Sequence, residues 1–332
     1  MKKRITIIFI VLILAIPALF LLNLFSGSSN VGIRDMANII FNHDTQSVFG
    51  VIVWNIRIPR LLEAMVLGGA LALSGYLLQT FFANPIAGPF VLGISSGAKM
   101  CVAMLMIISV RLCFSLSSLM MVAVSFIGSC LATAIVIFVA KKVKNMAVLI
   151  VCGVMIGYVC SSVTELLVAF ADDSNIVNLH NWSMGSFASA SWSDVRITVP
   201  IIVVGIMMAI LLSKGMSVYM FGEGYAQSVG MNVRVFRVLL IVASCILSAT
   251  VTAFAGPISF VGIAVPHVIR TVTKSNNVKV MVTASFLGGA VFCLLCDFIA
   301  RSMFAPMELS ISTITAVFGA PIVVLMLLKR KR

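Results

Sequence analysis

Hydrophobic residues run along this chain in long blocks, and short polar stretches separate the blocks. Apolar segments cover 5–25, 61–82, 86–110, 114–140, 146–170, 195–212, 233–254, 258–272, 278–300 and 309–328. All but 258–272 come close to or exceed the roughly 20 residues a helix needs to cross a hydrocarbon core. A transmembrane β-barrel would instead show short segments of alternating character, and none is visible. The pattern predicts an all-α, polytopic membrane protein with about ten transmembrane helices. The segment 258–272 is the shortest and carries Pro266 and His267, so its hydropathy supports a span least. No tandem repeat or low-complexity linker divides the chain, and 1–332 reads as a single transmembrane domain.

Composition agrees with this pattern. Of 332 residues, 61% are hydrophobic and only 10% charged, with a mean hydropathy of +1.17. That is too little charge for a water-facing surface. The formal net charge of +13 would suggest nucleic acid in a soluble protein. Here the cations sit in clusters between apolar segments, so they report topology and not nucleic-acid binding. With a cytoplasmic N-terminus and ten alternating helices, 16 of the 23 Lys and Arg fall inside. Six fall outside: Arg34, Arg57, Arg60, Arg111, Arg196 and Arg301; Lys99 is left within the third segment. Of the ten acidic residues, only Glu223 falls clearly inside. An odd helix count would place the basic C-terminus outside, so both termini are expected in the cytoplasm. Met1-Lys2-Lys3-Arg4 begins like a signal peptide, but the apolar run is long and 26–29 is a poor cleavage site, which predicts a retained first helix. This leaves an external loop 26–55 with room for a short surface helix, an external loop 171–194 and a cytoplasmic loop 214–232. The outer loops' Trp182 and Trp192 suit a headgroup-level position.

Several local patterns carry chemistry. Arg57-Ile58-Pro59-Arg60 precedes the second segment, which ends at Asn84-Pro85-Ile86-Ala87-Gly88-Pro89. Leu92-Gly93-Ile94-Ser95-Ser96-Gly97-Ala98 follows. Boundary arginines often only snorkel, but three on one face can also pair with an acidic partner. Asn-Pro ends a helix. Gly153 and Gly157 form G-x-x-x-G, which permits close helix contact. In the 214–232 loop, Gly222 and Gly224 can interrupt one short helix, Ala226 can begin another and Gly230 can end it. Ala255-Gly256-Pro257-Ile258-Ser259-Phe260-Val261-Gly262 is followed by Val265-Pro266-His267-Val268-Ile269-Arg270, a helix break and a return. His267 is expected to hydrogen-bond within the fold and not to bind a metal. The eight cysteines lie in or beside apolar runs and act as small hydrophobes. Cys293 and Cys296 lack the neighbours that would complete a zinc site. Glu63, Lys99, Glu165 and Asp297 are ionisable groups in or near membrane depth, where such groups are expensive. Glu63 and Asp297 lie near the outer boundary, within reach of water.

In this order the motifs resemble bacterial ABC importer permeases for iron–siderophore complexes, haem and cobalamin, the FecCD/BtuC type. The resemblance runs from Arg57 to Leu328; the first 50 residues match only as a helix plus an external loop. It includes a W-x-x-G-S pattern at Trp182, Gly185 and Ser186, and a following Trp192. It implies a type II ABC importer permease fold in the bacterial cell membrane, multi-pass and in contact with lipid. It also implies an ATP-binding cassette ATPase dimer, a second permease subunit (homodimer or paralogue) and an extracytoplasmic substrate-binding protein as partners. No catalytic residue, metal or cofactor belongs to this chain, and it has no G-x-x-x-x-G-K-[ST] phosphate loop. By the same resemblance Arg57, Arg60 and Arg301 dock the binding protein, with glutamates of that protein opposite them. Gly222, Glu223, Gly224, Ala226 and Gly230 couple to the ATPase; Met231 departs from the family's usual aliphatic residue. Asn84, Ile86, Asn145 and Met146 form a cytoplasmic gate, while Gly153 and Gly157 pack a helix that lines the pathway. Lys99 also departs from the family, either favouring an anionic cargo or pairing with an internal acid. The expected cargo is an iron–siderophore complex, with haem or cobalamin as the alternative. An ion-coupled secondary transporter would need inverted repeats and mid-membrane carboxylates. Glu165 is a candidate, but paired half-helices are missing. An intramembrane enzyme would need a nucleophile and base at useful spacing, and none is present.

Overall fold

The computed structural model describes residues 2–26, 38–40, 42, 44–112, 116–143, 146–303 and 307–330. Asn145, Lys144, Arg34, Cys113, Lys331, Arg332 and most of 27–43 lie outside these residues. The described chain is helical and contains no strand. Helices satisfy every backbone polar group internally, which lipid demands of a spanning segment.

We number the helices α1 (Lys2–Phe25), α2 (Val48–Phe81), α3 (Ile94–Arg111), α4 (Ser118–Lys142), α5 (Met146–Val168), α6 (Asp173–Ser183) and α7 (Trp192–Tyr219). They continue as α8 (Glu223–Ser228), α9 (Val233–Ala255), α10 (Val261–Thr273), α11 (Val278–Ser302) and α12 (Ile311–Arg330). Eight of them are long and apolar enough to cross a membrane, and α10 and α12 are shorter apolar helices. Among the described residues, apolar helices therefore stand at the ten predicted places. At 13 residues α10 reaches only about 20 Å, less than a bilayer core. A non-helical stretch, 256–260, joins it to α9.

Two predicted boundaries move. The second helix begins at Val48, not near Leu61, and is wound as a π-helix over Ile52–Arg57. Ser47 caps it, accepting a hydrogen bond from Gly50 N at 3.0 Å. Arg57 and Arg60 therefore lie inside α2 instead of ahead of it. The helix α7 continues through Lys214 to Tyr219, because Met216 and Tyr219 remain buried and Gly215 packs against Phe236. The loop predicted at 214–232 shrinks accordingly, and it holds one short helix, α8, where two were expected.

α2 is the hub of the fold, with α11, α9, α10 and α7 arranged around it. Small residues let backbones meet there. A Cβ on Gly68 would lie 2.5 Å from the Cβ of Cys293, and one on Gly75 would overlap the Gly262 carbonyl. Cys293 and Cys296 are both buried on this α11 face and serve packing. Glu63 of α2 is also buried, closed off from the water expected to reach it, and accepts a 2.6 Å hydrogen bond from Thr198 of α7.

The helix ends gather into two layers. At the basic end Arg4 donates to Val272 O at 2.7 Å, and the Tyr219 hydroxyl lies 3.4 Å from Phe81 O. At the opposite end Arg57 donates to Leu24 O at 2.6 Å, and Trp192 donates to Trp54 O at 2.8 Å.

Candidate transport pathway and partner surfaces

The opposite end is built on a buried ion cluster. Arg60 Nε and Nη2 reach Asp297 Oδ1 at 3.1 and 2.9 Å. Its Nη1 reaches both Glu308 oxygens at 3.2 and 2.9 Å. Arg301 donates to the Asn23 carbonyl and side-chain oxygens at 2.9 and 2.7 Å and pairs with Asp297 Oδ2 at 3.4 Å. Asn23 in turn donates to Leu294 O at 3.1 Å. The cluster ties α1, α2 and α11 together. Arg57, Arg60 and the Arg301 side chain are all largely buried, so the three arginines do not stand out as a free row. Asp297 draws Arg60 and Arg301 inward and the Leu24 carbonyl holds Arg57, because an unpaired guanidinium at a low-dielectric boundary would be costly. Asp297 is buried with them, away from the water expected near it. The accessible charge here is Glu308, whose side chain is 47% exposed.

The extended segment between α9 and α10 lies on this same side. Gly256 takes φ 74° and Phe260 φ 63° to turn the chain. Its freed carbonyls are satisfied locally: Ser186 N donates to Ala255 O at 2.8 Å, and Ser312 Oγ to Pro257 O at 2.6 Å. The loop around Trp182 and Gly185 thus covers the helix break. His267 is half-buried in α10, with Nε2 3.4 Å from Thr271 Oγ1, a contact within the fold.

At the basic end the chain turns after α2. Ala83 adopts φ 48°, and Asn84 Oδ1 accepts from Ile86 N at 3.2 Å. A cavity of about 410 Å³ opens beside this turn, lined by Asn84, Met146, Tyr219, Gly222, Glu223 and Arg270 among others. Two expected gate residues and two expected coupling residues therefore share one space. Ile86 is half-buried in the turn but does not line that cavity.

The connection beyond α7 is shaped by two glycines. Gly222 at φ 109° and Gly230 at φ 84° bracket α8 in a backbone conformation that side chains rarely adopt. Gly224 sits in the first turn of α8 facing open space. Ala226 is fully buried and anchors α8 to the core. Glu223 accepts from the Tyr219 hydroxyl at 2.8 Å and pairs with Arg237. What faces outward is aromatic: Phe221 is 78% exposed, Tyr225 54%, and their rings sit 5.6 Å apart. The sequence reading passed over these two residues. Their signal was two aromatics in an otherwise glycine-rich loop, but their exposure depends on Ala226 facing in.

Gly153 and Gly157 both face the segment that opens α3. A Cβ on Gly153 would overlap Val91 O, whereas one on Gly157 would find its nearest atom, Ser96 Oγ, at 3.6 Å. Along the other face of α5, Val151, Met155, Tyr158 and Val159 are exposed among the described residues. Glu165, near the end of α5, is exposed as well. Lys99 is half-buried early in α3. Among the described residues no group of three His, Cys, Asp or Glu side chains is placed to hold a metal.

The model of the FecCD transport family matches residues 11–329. The hemin transport system permease protein HmuU of Yersinia pestis is 32% identical over 99% of this chain and 97% of its own length. The vitamin B12 import system permease protein BtuC of Vibrio cholerae is 33% identical over 84% of this chain and 83% of its own. Among solved structures, an inward-facing conformation assigned to the metal-chelate type of ABC transporter superposes with a TM-score of 0.84. It is 26% identical and covers 98% of this chain and 99% of that one. PsaBC from Streptococcus pneumoniae, solved with a Fab, shares the fold at a TM-score of 0.53 and 17% identity, over 80% of this chain and 89% of that one. A family match along almost the whole length and an end-to-end permease relative place the chain: it belongs to the FecCD transport family and is an integral membrane permease of the ABC-importer type.

Proposed function

We propose that this chain is the permease half of a binding-protein-dependent importer of metal chelates. ATP hydrolysis is assigned to a separate ATPase dimer. The observation that carries the reading is the end-to-end agreement with a hemin permease, 32% identical over 99% of the chain. That relative favours haem as cargo, and BtuC-type relatives favour cobalamin. An iron–siderophore complex, a third ligand of the same chelate class, is kept with them.

In this reading the basic end faces the cytoplasm, because cations are retained on that side. Phe221, Tyr225 and the Gly222–Gly230 connection meet the ATPase there, with Glu223, Gly224 and Ala226 fixing the shape of that surface. Asn84, Ile86 and Met146 narrow the inner mouth. The exposed face of α5 lines a pathway shared with a second permease subunit, identical or paralogous. Glu165 supports this, since an exposed carboxylate on a membrane helix needs water or a partner. The extracytoplasmic binding protein docks around Arg57, Arg60 and Arg301, and its carboxylates reach Arg60 in place of Glu308.

The test is purification of the chain with its neighbouring ATPase and binding protein, followed by identification of the chelate the binding protein retains. Stable assembly and ATP-dependent uptake of that chelate in vesicles are expected. Ion-driven uptake by the lone chain would overturn the proposal. Arg60→Lys, which keeps the buried cation but loses the forked contact, is expected to weaken binding-protein docking at low salt and to leave ATPase assembly intact.

A further inference from the structure

A second feature of the basic end lies outside the transport reading. The end of α4, the short helix α8 and the start of α9 enclose a groove of about 900 Å³. Lys142, Arg234 and Arg237 line it, together with Glu223, Gln227 and Asn232. Three cations against one carboxylate leave the groove with two net positive charges. Glu223 already pairs with Arg237, yet Arg237 Nε is buried with no hydrogen-bond partner among the described residues. Lys142 stands over the Phe138 ring, 4.4 Å from its centroid.

The groove's position decides what it can hold. It is formed where two membrane-length helices terminate, α4 at Lys142 and α9 at Val233, so it lies at a bilayer boundary. Its membrane side continues into exposed apolar side chains, Phe138 on α4 and Val235 and Leu239 on α9. A cationic pocket opening onto an apolar helix face fits a molecule with an anionic head and hydrocarbon tails. A free anion would use only the first half of this surface.

We propose that the groove binds the phosphate headgroup of an anionic phospholipid, held by Lys142, Arg234 and Arg237, with the acyl chains along Phe138, Val235 and Leu239. The site needs only that the chain sits in a membrane, and it does not depend on the cargo or partners proposed above.

The test is native mass spectrometry of the full, delipidated chain titrated at low salt with dioleoylphosphatidylglycerol, dioleoylphosphatidylcholine or inorganic phosphate. Phosphatidylglycerol is expected to bind, and the other two not at the same concentration. Lys142 and Arg234 are exposed, so the Lys142→Gln/Arg234→Gln variant leaves the core intact. It is expected to bind phosphatidylglycerol about thirtyfold more weakly, about fivefold per cation, the equivalent of about 1 kcal/mol each at an anionic surface. Lys142→Arg/Arg234→Lys should keep parental affinity. Three results overturn the proposal: parental affinity in the neutralised variant, equal binding of inorganic phosphate or phosphatidylcholine, or an equal loss in a Lys2→Gln/Lys3→Gln control. Parental lipid affinity together with lost ATPase assembly would give the groove to a protein partner.

Discussion

Arg60 offers a comparison within one side chain. It holds two carboxylates at nearly equal distance, Asp297 and Glu308, both 2.9 Å away at closest approach. Burial and a second cation separate them: the Asp297 side chain is 1% exposed and also pairs with Arg301, whereas that of Glu308 is 47% exposed and pairs with Arg60. Coulomb's law at an effective dielectric constant of 20 gives each contact about 6 kcal/mol of gross attraction. Desolvation and screening decide what survives. Replacing Asp297 by Asn leaves Arg60 and Arg301 facing a neutral amide in a buried setting, and breaking such a pair costs about 3–5 kcal/mol. Replacing Glu308 by Gln removes a half-exposed partner, worth about 0–1 kcal/mol. For a chain of this size 4 kcal/mol corresponds to a Tm loss of about 5 °C by soluble-protein scaling. The loss should be larger here, because membrane helices persist on unfolding and the unfolding entropy is smaller. Scanning fluorimetry in one detergent on the parent, Asp297→Asn and Glu308→Gln should show a clear drop for the first and under about 2 °C for the last. Equal shifts for the two variants would refute the assignment of the cluster's strength to its buried, twice-paired carboxylate.

The two glycines of α5 should respond differently to the same methyl. Gly153→Ala meets Val91 O and is expected to cost about 1–3 kcal/mol, while Gly157→Ala is in ordinary contact and should stay within about 0.5 kcal/mol of the parent; matching melting curves would contradict this. Gly75→Ala forces α2 away from the Gly262 carbonyl, so we expect a Tm loss at least as large as that of Gly153→Ala, and unchanged stability would dismiss the tight α2–α10 crossing. Tyr219→Phe removes the hydroxyl that reaches Glu223, with an expected loss of about 1 kcal/mol. Limited proteolysis should then cut faster between residues 220 and 232, and an unaltered cleavage rate would mean that the hydroxyl does not hold α8.

The arrangement at the basic end links two proposed roles physically. Tyr219 contacts the end of α2 through Phe81 O and the start of α8 through Glu223. If an ATPase docks on α8 as proposed, its displacement would reach the turn at Asn84 through one side chain and a shared cavity.

The helix count and the membrane setting were legible in the sequence because both depend on local composition, and the family was legible because the motifs resemble its members in their order. An apolar run of membrane length becomes a helix wherever it stands, and glycine and proline mark breaks by backbone sterics alone. Gly256, Pro257 and Gly222 were read correctly as interruptions for that reason. What pairs with what was not legible. Arg57, Arg60 and Arg301 look like boundary cations in the sequence, and only the fold brings Asp297, Glu308 and Asn23 to them from other helices. Glu63 looked water-accessible until Thr198 and α7 closed over it. Phe221 and Tyr225 became an exposed ridge only because Ala226 is buried beneath α8. Periodicity fixes which residues form a helix. The direction in which a charged or aromatic side chain is used depends on partners far away in the chain, and the tertiary structure alone supplies them.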